Sequence, residues 1–161
     1  MMQWNFIVRA TGFWIIPFLV STVQSRPPSE HHIEKRHLLQ MCELISKYTN
    51  RSCLEYNNYG CFCGLGNTAT HTGVDDVDNC CRLHDQCYGQ VHCFWFFPQL
   101  VGYSINCTSH ADCYCSDSPQ YASCAYSTCM CDLTLAQCLA QHQYHSAFKN
   151  FDRRHCHLLG L

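Results

Sequence analysis

Sixteen cysteines among 161 residues constrain this chain more than any other feature. A density of about one residue in ten marks a scaffold in which disulfides stand in for a large apolar core, and disulfides persist in oxidising compartments. The spacing says as much as the number. Cys124, Cys131 and Cys138 recur every seven residues, and Cys80 and Cys87 repeat the interval. A step of seven returns to the same face of an α-helix, so each segment reads as a helix carrying a stripe of sulfurs. The stripes match as antiparallel partners. Seven residues forward from Cys80 to Cys87 correspond to seven back from Cys138 to Cys131, and Cys93 then meets Cys124. Spacing by itself supports these three pairings, in two long antiparallel, disulfide-linked helices, and 161 residues leave room for one domain, which we expect to be mainly α.

The same register brings reactive groups together. His84 lies four residues past Cys80, which puts its facing position near 134, and Asp132 sits half a turn away. His84 and Asp132 are therefore expected to face each other. Tyr88, one turn beyond His84, shares its face. Histidine is the residue type suited to general-base work near neutral pH, and a carboxylate accepting its second ring N–H would fix the tautomer and stabilise the imidazolium. Ahead of this helix stands Tyr59-Gly60-Cys61-Phe62-Cys63-Gly64-Leu65-Gly66. Gly64 and Gly66 allow positive-φ turns that aim successive carbonyls inward, the oxygen-rich environment a hard cation such as calcium takes. Taken singly, the glycines fit an ordinary tight turn and His84 fits a packed structural histidine. Their joint occurrence is what points to a catalytic site with a base, an orienting acid and a metal carboxylate.

These motifs resemble those of the secreted, calcium-dependent phospholipase A2 family. The likeness runs from about Cys42 to Cys156 and rests on the glycine-rich loop, on Cys80-Cys81-Arg82-Leu83-His84-Asp85-Gln86-Cys87-Tyr88, and on Cys129 to Cys138, in that order. The resemblance implies a calcium loop, a short N-terminal helix and a small β hairpin beside the helix pair. It implies calcium held by the carbonyls of Phe62, Gly64 and Gly66 and by both oxygens of Asp85. It also implies His84 as the base acting on water, Asp132 as its partner, Tyr88 and Tyr103 as the hydroxyls holding that aspartate, and a backbone N–H at Gly64 for the oxyanion. Seven bridges follow from it: Cys80–Cys138, Cys87–Cys131, Cys93–Cys124, Cys63–Cys81, Cys61–Cys156, Cys42–Cys107, and Cys129 with Cys113 or Cys115. An even count then leaves Cys53 for the spare member of the Cys113/Cys115 pair, with an exchange of roles between Cys42 and Cys53 left open.

Along the chain, Arg9 precedes an apolar run over residues 13–20 with small residues behind it, so residues 1–25 read as a signal peptide. Residues 26–36, ending in Lys35-Arg36, read as a propeptide or linker, and residues 37–161 as the domain. Leu38, Leu39, Met41, Leu44, Ile45 and Tyr48 suggest an amphipathic helix ended by Thr49-Asn50, and Asp75 or Asp76 is the candidate N-cap of the first long helix. Asn50-Arg51-Ser52 and Asn106-Cys107-Thr108 are glycosylation sequons, Asn50 the better placed.

From residue 37 onward, six Lys and Arg stand against ten Asp and Glu, a formal charge of −4. That balance argues against nucleic acid and against electrostatic capture by anionic lipid. Attachment to a phospholipid surface would need apolar anchors. Phe94-Trp95-Phe96-Phe97-Pro98-Gln99-Leu100 is one candidate, and the Leu38, Leu39, Met41 helix a second. The expected substrate is a glycerophospholipid, cleaved at its sn-2 ester. The competing class is a toxin or receptor-binding protein on the same scaffold, whose sequence mark would be loss of the base or the calcium aspartate, and neither is lost here. Zinc is disfavoured despite nine histidines from His37 onward, because a secreted chain with an even cysteine count favours bridges over thiolates.

Overall fold

A computed structural model describes residues 30–65, 72–93, 97–119 and 123–158. The expected signal peptide, Gly66 and the aromatic residues Phe94, Trp95 and Phe96 lie outside these. Among the described residues the architecture is mainly helical, with one two-stranded antiparallel hairpin.

Helix α1 spans Glu30–Thr49. It begins earlier than the apolar pattern from Leu38 suggested, because Glu30, Glu34, Lys35 and Arg36 form helix readily without an apolar stripe. Leu44 and Ile45 are buried in the core, with Met41 and Tyr48 packed against them. The helix stops where Asn50 turns left-handed at φ 55° while its N–H still bonds Ser46 O at 3.1 Å, and Thr49 Oγ1 donates to Ile45 O at 2.7 Å. After a three-residue link comes the short helix α2, Cys53–Tyr56. Ser52 opens it with a capping box: its Oγ accepts from Leu54 N, and its own N–H donates to Glu55 Oε1 at 3.2 Å.

Helix α3, Asp76–Gln90, is capped by Asp75, whose Oδ1 accepts the Asp78 N–H at 2.9 Å. The hairpin joins β1, Ile105–Ser109, to β2, Asp112–Cys115, with an irregularity after Cys107 and a left-handed Ala111 at the turn. Helix α4, Ser123–Gln141, returns beside α3. Bridges Cys80–Cys138, Cys87–Cys131 and Cys93–Cys124 join the two helices in the antiparallel register that the spacing predicts. Leu133, Leu135, Ala136 and Leu139 turn inward from α4 against Leu44, Ile45 and Val77, each large side chain contributing about 1.5–3 kcal/mol by leaving water.

All sixteen cysteines are bridged. Cys63–Cys81, Cys61–Cys156 and Cys115–Cys129 form as the family resemblance implies. Two bridges differ. Cys42 pairs with Cys53, not Cys107, and Cys107 pairs with Cys113, leaving no bridge from Cys53 to the hairpin. The cause is local geometry. The left-handed turn at Asn50 folds α2 back until Cys53 lies 5.0 Å from Cys42, Cα to Cα, and Cys107 and Cys113 are directly opposed across the hairpin.

The C-terminal segment closes the molecule over the loop that follows α2. Gly60 N–H donates to Phe148 O at 2.9 Å, Asn150 N–H to Asn58 O at 2.8 Å, and Tyr144 and Phe148 pack around the buried Tyr59 ring.

Candidate active site

His84 faces α4 from the middle of α3, and its Nε2 lies 2.7 Å from Asp132 Oδ1, as the helix register predicts. Asp132 is fully buried and His84 nearly so. Burial would penalise an ionised carboxylate unless donors surround it. Here Tyr88 OH donates to Asp132 Oδ1 at 2.6 Å and Tyr103 OH to Oδ2 at 2.7 Å. Burial, followed by the charge of Asp132, pushes both phenols far above their ordinary range, so they stay protonated and serve as donors. An acceptor at Nε2 assigns the ring proton to that nitrogen. Nδ1 is left with the lone pair, the orientation a base requires.

Tyr103 comes from the stretch before β1 and is fixed by α1. Its N–H donates to Gln40 Oε1 at 3.2 Å, and Gln40 Nε2 donates back to Tyr103 O. Sequence reasoning missed Gln40, since nothing in a local pattern links positions 63 residues apart.

A second constellation lies beside the first. Residues 59–65 form a tight loop stapled by Cys61–Cys156 and Cys63–Cys81. The buried carboxylate of Asp78 anchors it: Oδ2 accepts from Cys61 N at 2.8 Å and Val74 N at 2.9 Å, and Oδ1 from Phe62 N at 2.8 Å. Gly60 permits this approach, because at φ 57° it adopts a left-handed conformation and a Cβ there would stand 2.3 Å from Asp78 Cγ. Asp78 is a further residue that sequence reasoning missed. Its only local sign was a carboxylate in the first turn of α3.

Asp85 lies one turn beyond Cys81 on α3, on the face that Cys63 bridges to the loop. Its carboxyl is half-buried, and among the described residues it takes no hydrogen bond or ion pair. Burial pushes it above the usual carboxylate range. The carbonyls of Phe62 and Gly64 likewise take no hydrogen bond among the described residues, whereas those of Cys63 and Leu65 accept from Arg153 at 3.0 and 2.7 Å. Two uncommitted carbonyls on a loop that Cys63 ties to α3, and a half-buried, uncommitted carboxylate one turn along that helix from the bridge, are the oxygen donors a hard cation takes. Of the sequence-predicted ligand set, Phe62, Gly64 and Asp85 are described and Gly66 is not.

Among the described residues, one cluster of His, Cys and acidic groups has metal-ligand spacing: Cys80, Cys138 and His142. Its two sulfurs form a disulfide and offer no thiolate.

Several large apolar side chains remain in water. Leu39 is 68% exposed, Leu38 49%, Phe97 74% and Leu65 93%, whereas Met41 packs partly against the core. No described helix is long and apolar enough to cross a membrane.

A family model described as Phospholipase A2 matches residues 38–149. Among known proteins, the chain is 40% identical over 103 residues to "Basic phospholipase A2 beta-bungarotoxin A1 chain" of Bungarus flaviceps flaviceps, covering 63% of this chain and 67% of that one. It is 39% identical over 111 residues to "Acidic phospholipase A2" of Micrurus dumerilii, covering 67% of this chain and 89% of that one.

Proposed function

The chain belongs to the phospholipase A2 family, and on that premise we propose that it is a secreted, calcium-dependent enzyme cleaving the sn-2 acyl ester of glycerophospholipids. The products are a free fatty acid and a lysophospholipid. The observation that carries the reading is the 2.7 Å contact of His84 Nε2 with buried Asp132, beside the uncommitted carboxylate of Asp85.

In the proposed mechanism, His84 Nδ1 takes a proton from a water as the water's oxygen attacks the ester carbonyl carbon. Asp132 holds the ring in place and stabilises the imidazolium, and Tyr88 and Tyr103 keep that carboxylate ionised by donating to it. The Gly64 N–H donates to the carbonyl oxygen as negative charge gathers there. When the acyl carbon–oxygen bond breaks, the imidazolium returns its proton to the departing glycerol oxygen, and His84 is ready again. The carbonyls of Phe62, Gly64 and Gly66 and the carboxylate of Asp85 would hold calcium, which when bound would supply positive charge to stabilise that oxyanion. The enzyme works at a membrane surface that it meets through Leu38, Leu39, Phe97 and the neighbouring aromatic residues, with no recourse to nucleic acid.

Secretion accords with eight disulfides. The signal peptide would be residues 1–25, processing would follow Arg36, and exposed Asn50 would carry a glycan. A second reading is a toxin or receptor-binding protein on the same scaffold, acting through a partner with catalysis dispensable, and the word bungarotoxin in the name of the Bungarus relative favours it. One assay separates them. Phospholipid vesicles labelled differently at the sn-1 and sn-2 acyl chains should release only the sn-2 label, and none in excess chelator. No calcium-dependent release from correctly oxidised protein would leave the partner reading.

A further inference from the structure

The loop at residues 61–65 is gripped from two sides. Asp78 on α3 takes the amides of Cys61 and Phe62. From the C-terminal segment, Arg153 Nη2 donates to Cys63 O at 3.0 Å and Nη1 to Leu65 O at 2.7 Å. A guanidinium is a planar, permanently charged fork, and here it spans two carbonyls on either side of Gly64, which sits at φ 110°. The carbonyls it leaves uncommitted among the described residues are those of Phe62 and Gly64. Arg153 lies beyond residues 38–149 that the family model matches. Three residues on, Cys156 is fully buried in its bridge to Cys61, which ties this segment to the loop that Arg153 grips.

We propose that Arg153 is a positioning residue whose fork turns the Cys63 and Leu65 carbonyls aside and so preorganises the Phe62 and Gly64 carbonyls for calcium. The inference rests on the reading of this loop and Asp85 as a calcium site. Two effects of Arg153 have opposite sign. Its charge is felt at Asp85 without forming an ion pair there, and charge alone would oppose a dication. Its two charge-assisted hydrogen bonds restrict the loop, and ordering the ligands beforehand favours binding. The second effect dominates, because the hydrogen bonds are short and directional whereas the charge acts at longer range through solvent.

The test uses the full chain with every bridge intact, comparing wild type with Arg153→Gln and Arg153→Lys. Calorimetric calcium titration should show both variants binding about ten-fold more weakly, the scale of having to order about one residue of the loop on binding. Lys keeps the charge but not the fork, so it should fall with Gln. In chelator, without metal, amide exchange at Cys61, Phe62 and Cys63 should quicken in both variants, while kcat at saturating calcium should change far less than the affinity. Gln binding calcium as tightly as wild type, or more tightly, would overturn the proposal, as would unchanged exchange. A wild type that takes up no calcium would instead overturn the proposed function, and the exchange comparison would still decide whether Arg153 holds the loop.

Discussion

Asp132 shows how one buried carboxylate can decide the state of its neighbours. Because it accepts from His84 Nε2, Tyr88 and Tyr103, the ring nitrogen on the opposite side carries the lone pair. In Asp132→Asn the new amide N–H would compete with one of these donors. Where it points at Nε2, it drives the ring proton to Nδ1 and removes the base. Turnover should fall by about 10²-fold or more, within the range for losing general-base catalysis, with the oxidised fold retained by circular dichroism. Tyr103→Phe is milder. It removes a single donor from a carboxylate that keeps others, and should cost about 1–3 kcal/mol in thermal unfolding with a smaller loss of rate. Equal losses of rate in both variants would contradict the view that the tautomer matters more than the solvation of Asp132.

At the scale of elements, the bridges differ in what they constrain. Cys61–Cys156 closes a separation of 95 residues and Cys107–Cys113 only 6. Loop-closure entropy predicts upper limits of roughly 5 and roughly 2 kcal/mol, the first reduced because other bridges already shorten its loop. Replacing both cysteines of a pair by Ala should therefore lower the denaturation midpoint more for Cys61/Cys156, and only that pair should also loosen the loop at residues 59–65. Gly60→Ala should damage the loop more locally, since its Cβ would meet Asp78 at 2.3 Å in a left-handed backbone. These contrasts follow what could be read in the sequence. The α3/α4 pair and the facing of His84 and Asp132 were legible because a helix converts residue intervals into directions. The start of α1 was not, because polar helix formers carry no apolar stripe, nor were the partners of Cys42 and Cys107, since a single left-handed residue at Asn50 and a two-strand register choose among cysteines that look equivalent in sequence. Asp78, Gln40 and Arg153 were hidden for a related reason. Their partners are backbone atoms or distant side chains, and a backbone amide leaves no trace in residue type.

For the whole molecule, attachment to lipid and chemistry should be separable. A domain with a formal charge of −4 gains little from attraction to anionic headgroups, whereas Leu39 and Phe97 already stand in water. Burying either should contribute on the order of 1–2 kcal/mol, so Leu39→Ala or Phe97→Ala should weaken binding to zwitterionic vesicles by about ten-fold. Hydrolysis of a dispersed short-chain substrate should change little in either variant. Trp95, beyond the described residues, is expected to behave in the same way, and loss of folding on its replacement would return it to the core. The central claim concerns His84, and the most direct measurement is the turnover of correctly oxidised His84→Gln against wild type on the same vesicles, with calcium affinity measured alongside. The account predicts that calcium binding and fold persist while hydrolysis is lost by about 10²-fold or more. Near-normal turnover by that variant would contradict it.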